Sequence, residues 1–170
     1  MTDEIAYYQS PIGILEIQHT DNIISAILFI NSLKGKKINE TEINFESSSS
    51  TIINECKEQL DEYFTGTRRI FTIAVSQSGT AFQQKIWNEL NNIPYGKTIS
   101  YLELSKRSGD VKAIRAVGTA NGNNSLSIVV PCHRVIGSNG TLVGYSGDLW
   151  RKQWLLEHEA KFANGVQMLF

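Results

Sequence analysis

The stretch Ser127-Ile128-Val129-Val130-Pro131-Cys132-His133-Arg134-Val135-Ile136 places a thiol beside an imidazole directly after an apolar run. We predict a short buried strand over 128–130 that ends at Pro131, because proline cannot donate a ladder hydrogen bond. Cys132 would then lie at the exit of a rigid element, which is a suitable place for a reactive side chain. The alternative is that Cys132 is a small core hydrophobe, as a lone cysteine in an apolar stretch often is.

The composition is that of an ordinary globular protein. At 170 residues and 41% hydrophobic, the chain is long enough to bury a core. The acidic N-terminus does not resemble a signal peptide and no apolar run reaches membrane-spanning length, so we expect a cytoplasmic protein. Its two cysteines, Cys56 and Cys132, belong to no cluster with zinc spacing, and we predict reduced thiols and no metal site.

Charge is divided unevenly along the chain. Residues 1–79 hold 6 Lys and Arg against 11 Asp and Glu, a net charge of −5, whereas residues 80–170 hold 10 against 6, a net charge of +4. This asymmetry favours a polyanionic partner for the second part, although mutual neutralisation of the two parts would explain the charge equally well.

The first part of the chain has the pattern of a small antiparallel sheet with one helix. The strands predicted from alternating apolar residues are 5–8, 12–17, 23–30 and 69–75. Apolar residues spaced by three and four over Thr51–Phe64 predict a helix that Gly66 ends, with Cys56 on its apolar side. We assign residues 1–76 to a structural domain in which no catalytic cluster is expected.

The second part, residues 77–170, has the pattern of a mostly helical domain, which makes the whole chain an α+β protein. Apolar periodicity predicts helices that begin near Phe82, Tyr101, Val111 and Leu149. Gly109 and Asp110 separate the second of these from the third, as in a helix-turn-helix. Gly137–Gly140 predicts the turn of a short hairpin, and Asp148 is placed to cap the last helix.

The third of these helices, over Val111–Asn121, has two different sides. At about 100° per residue, the apolar side holds Val111, Ile114, Val117 and Gly118. The opposite side holds Lys112, Arg115 and Thr119, flanked by Ala113, Ala116 and Ala120. Small residues beside basic ones would let a bulky anionic partner approach the backbone, as in a nucleic-acid recognition helix. A solvated basic face is the alternative.

A nucleophilic Cys132 would need a base, because an unperturbed thiol is mostly protonated at neutral pH. His133 is the obvious candidate, but neighbours in an extended chain point to opposite sides. The pair can work only if the chain turns after Cys132 or if a water molecule bridges the two side chains. The imidazole would in turn need a carboxylate from elsewhere in the fold.

Four ordered blocks within residues 80–160 resemble the O6-alkylguanine-DNA alkyltransferase family. They are Pro94-Tyr95-Gly96 with Ser100-Tyr101, Arg115-Ala116-Val117-Gly118, Pro131-Cys132-His133-Arg134-Val135, and Tyr145-Ser146-Gly147 with Leu155-Leu156-Glu157-His158-Glu159. The resemblance implies DNA repair by direct displacement, in which Cys132 takes the alkyl group of O6-alkylguanine, and also of O4-alkylthymine. The activity would be that of a methylated-DNA–protein-cysteine S-methyltransferase, with a single turnover and neither a metal nor an organic cofactor.

The same resemblance implies a catalytic site made of Cys132, His133, Glu159, Asn124 and Tyr101. His133 would deprotonate Cys132 through a water molecule, while Glu159 holds the imidazole in its working orientation. Asn124 would brace the active-site turn, and Tyr101 would donate a hydrogen bond to the guanine ring. The residues expected to line the pocket for the base are Tyr101, Val135, Tyr145 and Ser146.

The resemblance further implies that the target nucleotide is turned out of the duplex. Arg115 would enter the duplex from the minor groove and fill the gap. The other residues expected to contact DNA are Lys112, Ala116, Thr119 and Ser138. The expected partner is double-stranded DNA bearing O6-alkylguanine, bound by a monomer.

The chain departs from the family pattern at Ser125, where proline is common, and at Asp148, where glycine is common. Two other functions stay open. A cysteine hydrolase would use Cys132, His133 and Glu159 to cleave an acyl bond, but it leaves the basic helix unexplained. An alkyltransferase-like module would bind alkylated DNA without transfer, but such modules lack the reactive cysteine.

Overall fold

The computed structural model describes residues 4–164, which fall into two compact units. The first unit runs through Ser78 and takes in Ser125–Ser127, and the second begins at Gly79 and leaves those three residues out. Within the described residues, no helix is long and apolar enough to cross a membrane.

The first unit is built on a three-stranded antiparallel sheet. Its strands are β1 (Glu4–Ser10), β2 (Gly13–Thr20) and β3 (Ile23–Phe29), in the order β1-β2-β3. Two-residue turns join consecutive strands, so each strand pairs with its neighbour in sequence. Leu15, Ile17, Ile24 and Ile27 are fully buried, and their apolar surface forms the core of the unit.

One helix, α1 (Thr51–Thr65), completes this unit as the sequence predicts. Ser50 Oγ accepts a hydrogen bond from the Ile53 N–H, and Gly66 ends the helix in the left-handed conformation, at φ 85°. Cys56 is fully buried on the inner side of α1, and burial raises the pKa of its thiol to about 12. Cys56 is therefore a core residue with no nucleophilic character at neutral pH.

The prediction of a fourth strand in this unit, over residues 69–75, is wrong. Only Val75 makes a bridge, to Ile24 of β3. The side chain of Gln59 on α1 takes the place of a strand partner: its Oε1 accepts from the Thr72 N–H at 2.9 Å and its Nε2 donates to Thr72 Oγ1 at 2.8 Å. The Thr72 N–H is thus satisfied by a side chain, while backbone pairing with β3 is limited to the end of the segment, where the Ala74 carbonyl accepts from the Ile24 N–H at 2.9 Å.

Residues Ser125–Ser127 extend the edge of this sheet, although the sequence assigns them to the second domain. The Ile27 N–H donates to the Ser125 carbonyl at 2.8 Å, and the Ser127 N–H donates to the Ile27 carbonyl at 3.0 Å. Gln77 Oε1 accepts from both the N–H and the hydroxyl of Ser125. Long-range pairing of this kind leaves no local signal in the sequence.

The second unit is mainly helical. Its elements are α2 (Ala81–Leu90), β4 (Ile99–Ser100), α3 (Tyr101–Ser108), a 3₁₀ turn (Val111–Ala113), α4 (Ile114–Gly122), a 3₁₀ turn (Cys132–Arg134), β5 (Val135–Ile136) and α5 (Leu149–Asn164). Thr80 and Gln83 form a reciprocal capping box at α2, and Ser100 Oγ accepts from the Glu103 N–H at the start of α3. The predicted α+β class is confirmed.

The predicted helix over 111–121 begins as a 3₁₀ turn, in which Asp110 Oδ1 accepts from the Lys112 N–H. The tighter winding changes the phase of the side chains relative to an α-helix. The buried residues of α4 are consequently Val117, Ala120 and Asn121, whereas Val111 and Ile114 are 50% and 39% exposed. The apolar side that the sequence predicts is therefore only partly the buried side.

The two strands predicted before and after the Cys132-His133 pair do not form. Residues 128–130 form a turn, and the segment after the Gly137–Gly140 turn has no regular secondary structure. The Gly137 N–H does donate to the Thr141 carbonyl at 2.8 Å, which closes the turn. However, β5 pairs in parallel with β4 rather than with a returning strand.

Candidate functional site

The segment before Cys132 is held as a turn by Asn124. Asn124 Nδ2 donates to the Val130 carbonyl at 2.8 Å, and the Cys132 N–H donates to the same carbonyl at 2.8 Å. Ile128 is buried with φ at 72°, in the left-handed region that a β-branched residue rarely adopts. Side-chain bonding at Asn124 and burial of Ile128 together overcome the strand preference of this apolar run.

The chain turns again at Cys132, because residues Cys132–Arg134 form a 3₁₀ turn. His133 Nε2 lies 2.6 Å from Glu159 Oε2, and both side chains are fully buried. A carboxylate at this distance places the imidazole proton on Nε2 and leaves Nδ1 as an acceptor. His133 Nδ1 is buried and has no hydrogen-bond partner among the described residues. It is therefore available as a base.

Glu159 lies at the centre of a buried charge cluster. Besides His133, its carboxylate accepts from Arg134 Nε at 2.7 Å, from Arg134 Nη2 at 3.2 Å and from the Gly96 N–H at 3.2 Å. Burial alone would raise the pKa of Glu159, but His133 and Arg134 outweigh it and hold this pKa well below its usual range. Glu159 thus stays ionised, while burial lowers the pKa of His133 against the opposing effect of Glu159, so the imidazole is neutral.

Cys132 is only 4% exposed. Burial raises its pKa, and a hydrogen bond from Asn124 together with the charge of Lys152 acts in the opposite direction. Lys152 is fully buried on α5, where its Nζ donates to the Val143 carbonyl at 2.7 Å. Burial lowers the pKa of Lys152 to about 8, against the influence of Cys132. The buried ammonium of Lys152 is therefore close enough to Cys132 to lower the pKa of its thiol.

Lys152 and Arg134 also belong to this site, and neither was predicted from the sequence. One signal for Lys152 exists: Lys152, Leu155, Leu156 and Glu159 follow the spacing of one helical stripe, so a lysine on that stripe is expected to be buried. No comparable pattern marks Arg134, whose partner on α5 lies 25 residues away.

Among the residues predicted to line the base pocket, Tyr101 lies close enough to Cys132 for the thiolate to raise its pKa. The Tyr101 hydroxyl, at the first turn of α3, donates to the Val143 carbonyl at 3.1 Å. Val135 is fully buried in β5, Tyr145 is buried and Ser146 is half-buried in the loop before α5. The Val143 carbonyl thus accepts from two side chains, Tyr101 and Lys152, and this fixes the segment that the sequence assigns to a hairpin.

The residues predicted to contact DNA are all exposed. Arg115, Ala116 and Thr119 lie on the outer side of α4, Lys112 lies in the 3₁₀ turn before it, and Ser138 lies in the Gly137–Gly140 turn. The two exposed apolar side chains at the start of this helix, Val111 and Ile114, belong to the same outer surface. A surface that combines cations, small residues and exposed apolar groups is suited to covering a groove of nucleic acid.

Family models match both units of the chain. Residues 5–77 match the ribonuclease-like domain of 6-O-methylguanine DNA methyltransferase, and residues 81–161 match its DNA-binding domain. The chain belongs to the 6-O-methylguanine DNA methyltransferase family. The resemblance carried by the four sequence blocks is thereby confirmed, and it extends to the N-terminal half, where the sequence had offered only a general layout.

Several members of this methyltransferase family are similar over most of their length. The constitutive methylated-DNA–protein-cysteine methyltransferase of Bacillus subtilis is 45% identical over 139 residues, which are 82% of this chain and 84% of that protein. That of Methanosarcina acetivorans is 40% identical over 154 residues, 91% and 96% of the two chains. The crystal structure of the Mycobacterium tuberculosis O6-methylguanine methyltransferase matches with a TM-score of 0.82 at 35% identity, over 97% of each chain. A crystal structure of the enzyme from that organism in complex with DNA matches with a TM-score of 0.81 at 36% identity, over 93% of each chain.

This methyltransferase accommodates its departure at Asp148 through local contacts. Asp148 has φ 75°, the left-handed conformation that explains why glycine is common there. Its carbonyl accepts from the N–H groups of Arg151 and Lys152, and its carboxylate pairs with Arg151 Nη1 at 3.0 Å. The Asp148 carbonyl therefore accepts from the backbone N–H groups at the start of α5, and the carboxylate stabilises the same turn by pairing with the Arg151 side chain.

Proposed function

We propose that this protein repairs DNA by moving the alkyl group of O6-alkylguanine onto Cys132, once per molecule. Two relatives similar over most of the chain are named methylated-DNA–protein-cysteine methyltransferases. Within the chain, the proposal rests on the buried hydrogen bond between Glu159 and His133, the residue that directly follows Cys132. The Sγ–C bond forms as the C–O6 bond breaks, and the electron pair stays on the guanine oxygen. The thioether product has no easy leaving path, so each molecule reacts once.

The proton of Cys132 passes through a water molecule to His133 Nδ1. His133 is neutral before the reaction because burial lowers its pKa, and this is the form that can accept a proton. Glu159 remains ionised and stabilises the imidazolium that results, while Arg134 keeps the carboxylate in position. The ammonium of Lys152 adds positive charge near the developing thiolate.

The base binds where the segment at Val143 now meets Tyr101. Because Cys132 is only 4% exposed, entry of the base requires this segment to move away from the Tyr101 hydroxyl. Tyr101 then exchanges the Val143 carbonyl for an acceptor on the guanine ring and stabilises the charge that develops there. Tyr145 and the backbone of Ser146 line the base and its O6 atom, and Val135 forms an apolar wall. O4-alkylthymine is a second substrate of the same pocket.

The DNA duplex binds to α4 through its minor groove, as a complex with one protein monomer. Arg115 enters the duplex and occupies the place of the flipped nucleotide. Ala116 and Thr119 allow close approach of the narrow groove, and Lys112 and Ser138 contact phosphates. Because phosphate contacts release counterions, binding weakens as salt is added.

Intact-mass spectrometry of the protein after incubation with a duplex containing O6-methylguanine tests the transfer. We expect one added methyl group per molecule, located on the Cys132 peptide, with repaired DNA limited by the amount of protein. Cys132→Ala should abolish the addition, whereas Cys56→Ala, at a buried and unreactive thiol, should leave it intact. A cysteine hydrolase would release product repeatedly, and a binding module would gain no mass; either result would refute the proposal.

Arg115→Ala tests the minor-groove contact. The variant should repair duplex DNA about tenfold or more slowly, yet react normally with the free base O6-benzylguanine, which needs no flipping. Arg107→Ala is the matched control, because Arg107 pairs with Glu103 on α3 and is not part of the proposed contact. Normal duplex repair by Arg115→Ala would exclude its role in flipping.

A further inference from the structure

β1 is the open edge of the three-stranded sheet in the first unit. The opposite edge is covered, because in β3 Ile27 pairs with Ser125–Ser127 and Ile24 pairs with Val75. Edge strands are usually protected by lysine, by proline or by a covering segment, since their unpaired backbone groups attract other chains. β1 contains neither lysine nor proline. Its edge is therefore a place where an extended chain could add to the sheet.

The direction of the backbone groups in β1 follows from the pairing of β2. The Ile30 N–H donates to the Ile14 carbonyl at 3.1 Å, so the backbone of Ile14 faces β3. Backbone groups alternate between the two sides of a strand, so Leu15 faces β1 and bonds to its partner Tyr8. The residues of β1 whose N–H and carbonyl groups point away from the sheet are thus Ile5, Tyr7 and Gln9. Among residues 4–164, these outward groups have no hydrogen-bond partner.

A cavity of about 460 Å³, the β1 groove, lies along this edge and is lined by Glu4–Tyr7 and by residues of the segment 38–48. Ser48 ties that segment to β1, because its hydroxyl donates to the Glu4 carboxylate at 2.7 Å. The acidic and large aliphatic residues that line the groove are Glu4, Glu42, Glu46, Ile5, Ile38 and Ile43, and no lysine or arginine is among the described lining residues. The volume is in the range of ligand sites, and the charge favours a cationic ligand.

A buried histidine adds an unsatisfied acceptor beside Glu4. His19, the partner of Glu4 on β2, is 7% exposed. Its Nδ1 lies 2.6 Å from the Asp21 carbonyl and therefore carries a proton, so that Nε2 of the neutral ring is an acceptor. His19 Nε2 has no hydrogen-bond partner among the described residues and lies 3.9 Å from Glu4 Oε2. A cationic N–H donor placed beside Glu4 would satisfy both acceptors.

We propose that the β1 groove is a docking site for an extended, cationic segment of a partner protein, which adds to the sheet as a strand beside β1. The backbone of the segment pairs with the outward groups of Ile5 and Tyr7. Because side chains alternate along a strand, its lysine or arginine residues reach the glutamates while its apolar residues contact the isoleucines of the groove. The inference is independent of the proposed function, since none of these residues belongs to the reaction site.

The probe for this test is a capped hexapeptide of alternating lysine and valine, titrated into the full chain labelled with ¹⁵N. We expect a dissociation constant on the order of 10–100 µM, because a short flexible peptide loses much of its freedom on binding. The largest changes in amide chemical shift should be at Ile5, Tyr7 and residues 42–46. A hexapeptide of alternating glutamate and valine should not bind. Absence of binding by the cationic peptide, or shift changes confined to other surfaces, would overturn the inference.

Two N-methylated isomers of the peptide test whether the backbone pairs with β1. An added strand uses the N–H groups of alternate residues, so methylation of one alternate set should abolish binding and methylation of the other set should leave it intact. Equal binding by the two isomers would mean that charge alone attracts the peptide, and the inference would be wrong. It would also be wrong if concentrating the protein alone shifted the same β1 amides, because the groove would then accept a second copy of this chain.

A charge-reversal variant tests the contribution of the glutamates. Glu42→Lys combined with Glu46→Lys should weaken peptide binding about tenfold. The matched control combines Glu55→Lys with Glu58→Lys, at exposed positions of α1, and should bind the peptide like the wild type. Equal weakening in the two double variants would refute the role of the groove. Methyl transfer to Cys132 should proceed at the wild-type rate in both; failure of transfer in the wild type itself would refute only the proposed function.

Discussion

Replacing Lys152 with methionine should have opposite effects on stability and on reactivity. The difference between an ordinary lysine pKa of 10.5 and the value of about 8 in the folded protein means that folding disfavours the ammonium by about 3 kcal/mol. This penalty is fully present below about pH 8 and disappears as the pH rises towards 10.5, where the unfolded state also loses its proton. Methionine removes the penalty together with the hydrogen bond to Val143, which is worth about 1.5–3 kcal/mol.

The net change in stability at pH 7 is therefore small, from zero to about 2 kcal/mol in favour of Lys152→Met. The dependence on pH is more decisive. Between pH 7 and pH 9.5 the stability of the variant relative to wild type should fall by about 2 kcal/mol, because only the wild-type protein gains from deprotonation of the buried amine. Reactivity should change in the other direction: loss of the cation near Cys132 should slow methyl transfer about tenfold at pH 7, and less above pH 8.

Urea denaturation at several pH values measures the first effect, and single-turnover methylation of Cys132 measures the second. Lys161→Met is the matched control, because Lys161 is an exposed lysine on the same helix, and its stability should stay within about 0.5 kcal/mol of wild type at every pH. The reasoning is refuted if Lys152→Met is strongly destabilised with no dependence on pH, or if it transfers methyl groups at the wild-type rate.

Two other substitutions test contacts that the structure assigns. Glu159→Gln leaves Arg134 without its buried charge partner and should lower the free energy of unfolding at pH 7 by about 3 kcal/mol, with Glu157→Gln as the control. The pKa of Glu159 is held low in the folded state, so its stabilisation is present above the unfolded pKa of about 4.3 and is lost as the pH falls further; urea titrations should show the gap between wild type and variant closing below about pH 4. Ser125→Pro introduces the residue common in the family but removes both hydrogen bonds to Gln77, and thermal melts should show a loss of about 1–2 kcal/mol. An increase in melting temperature for Ser125→Pro would mean that backbone restriction outweighs these bonds.

Local patterns were sufficient for much of the fold. The helix over 51–65 and its glycine end, the helix-turn-helix around Gly109, and the antiparallel strands of the first unit follow from periodicity, capping and turn residues. These features depend on neighbours within a few residues, so the sequence displays them directly. The α+β class was predictable because it follows from these local elements. The family was predictable because the blocks that identify it are short and contiguous.

The predictions were wrong where a side chain from outside the segment makes the hydrogen bond that a neighbouring strand would make. Residues 128–130 have strand composition, yet Asn124 holds the Val130 carbonyl and makes the segment a turn. Residues 69–75 alternate like a strand, yet Gln59 takes the Thr72 N–H. In both cases a polar side chain makes a hydrogen bond to a backbone group that would otherwise pair with a neighbouring strand. The periodicity of apolar residues gives no sign of such a bond.

By itself, then, the sequence determined the family, the position of the proposed nucleophile Cys132 and the basic helix, because each is encoded in contiguous residues. Only the tertiary structure decided what surrounds the thiol. Glu159 reaches His133 across 26 positions of the chain, and Lys152 lies on the same helix as Glu159. The reason is physical: hydrogen bonds and charge interactions in a buried site depend on distance and solvent exclusion, and both are set by the packing of elements remote in sequence.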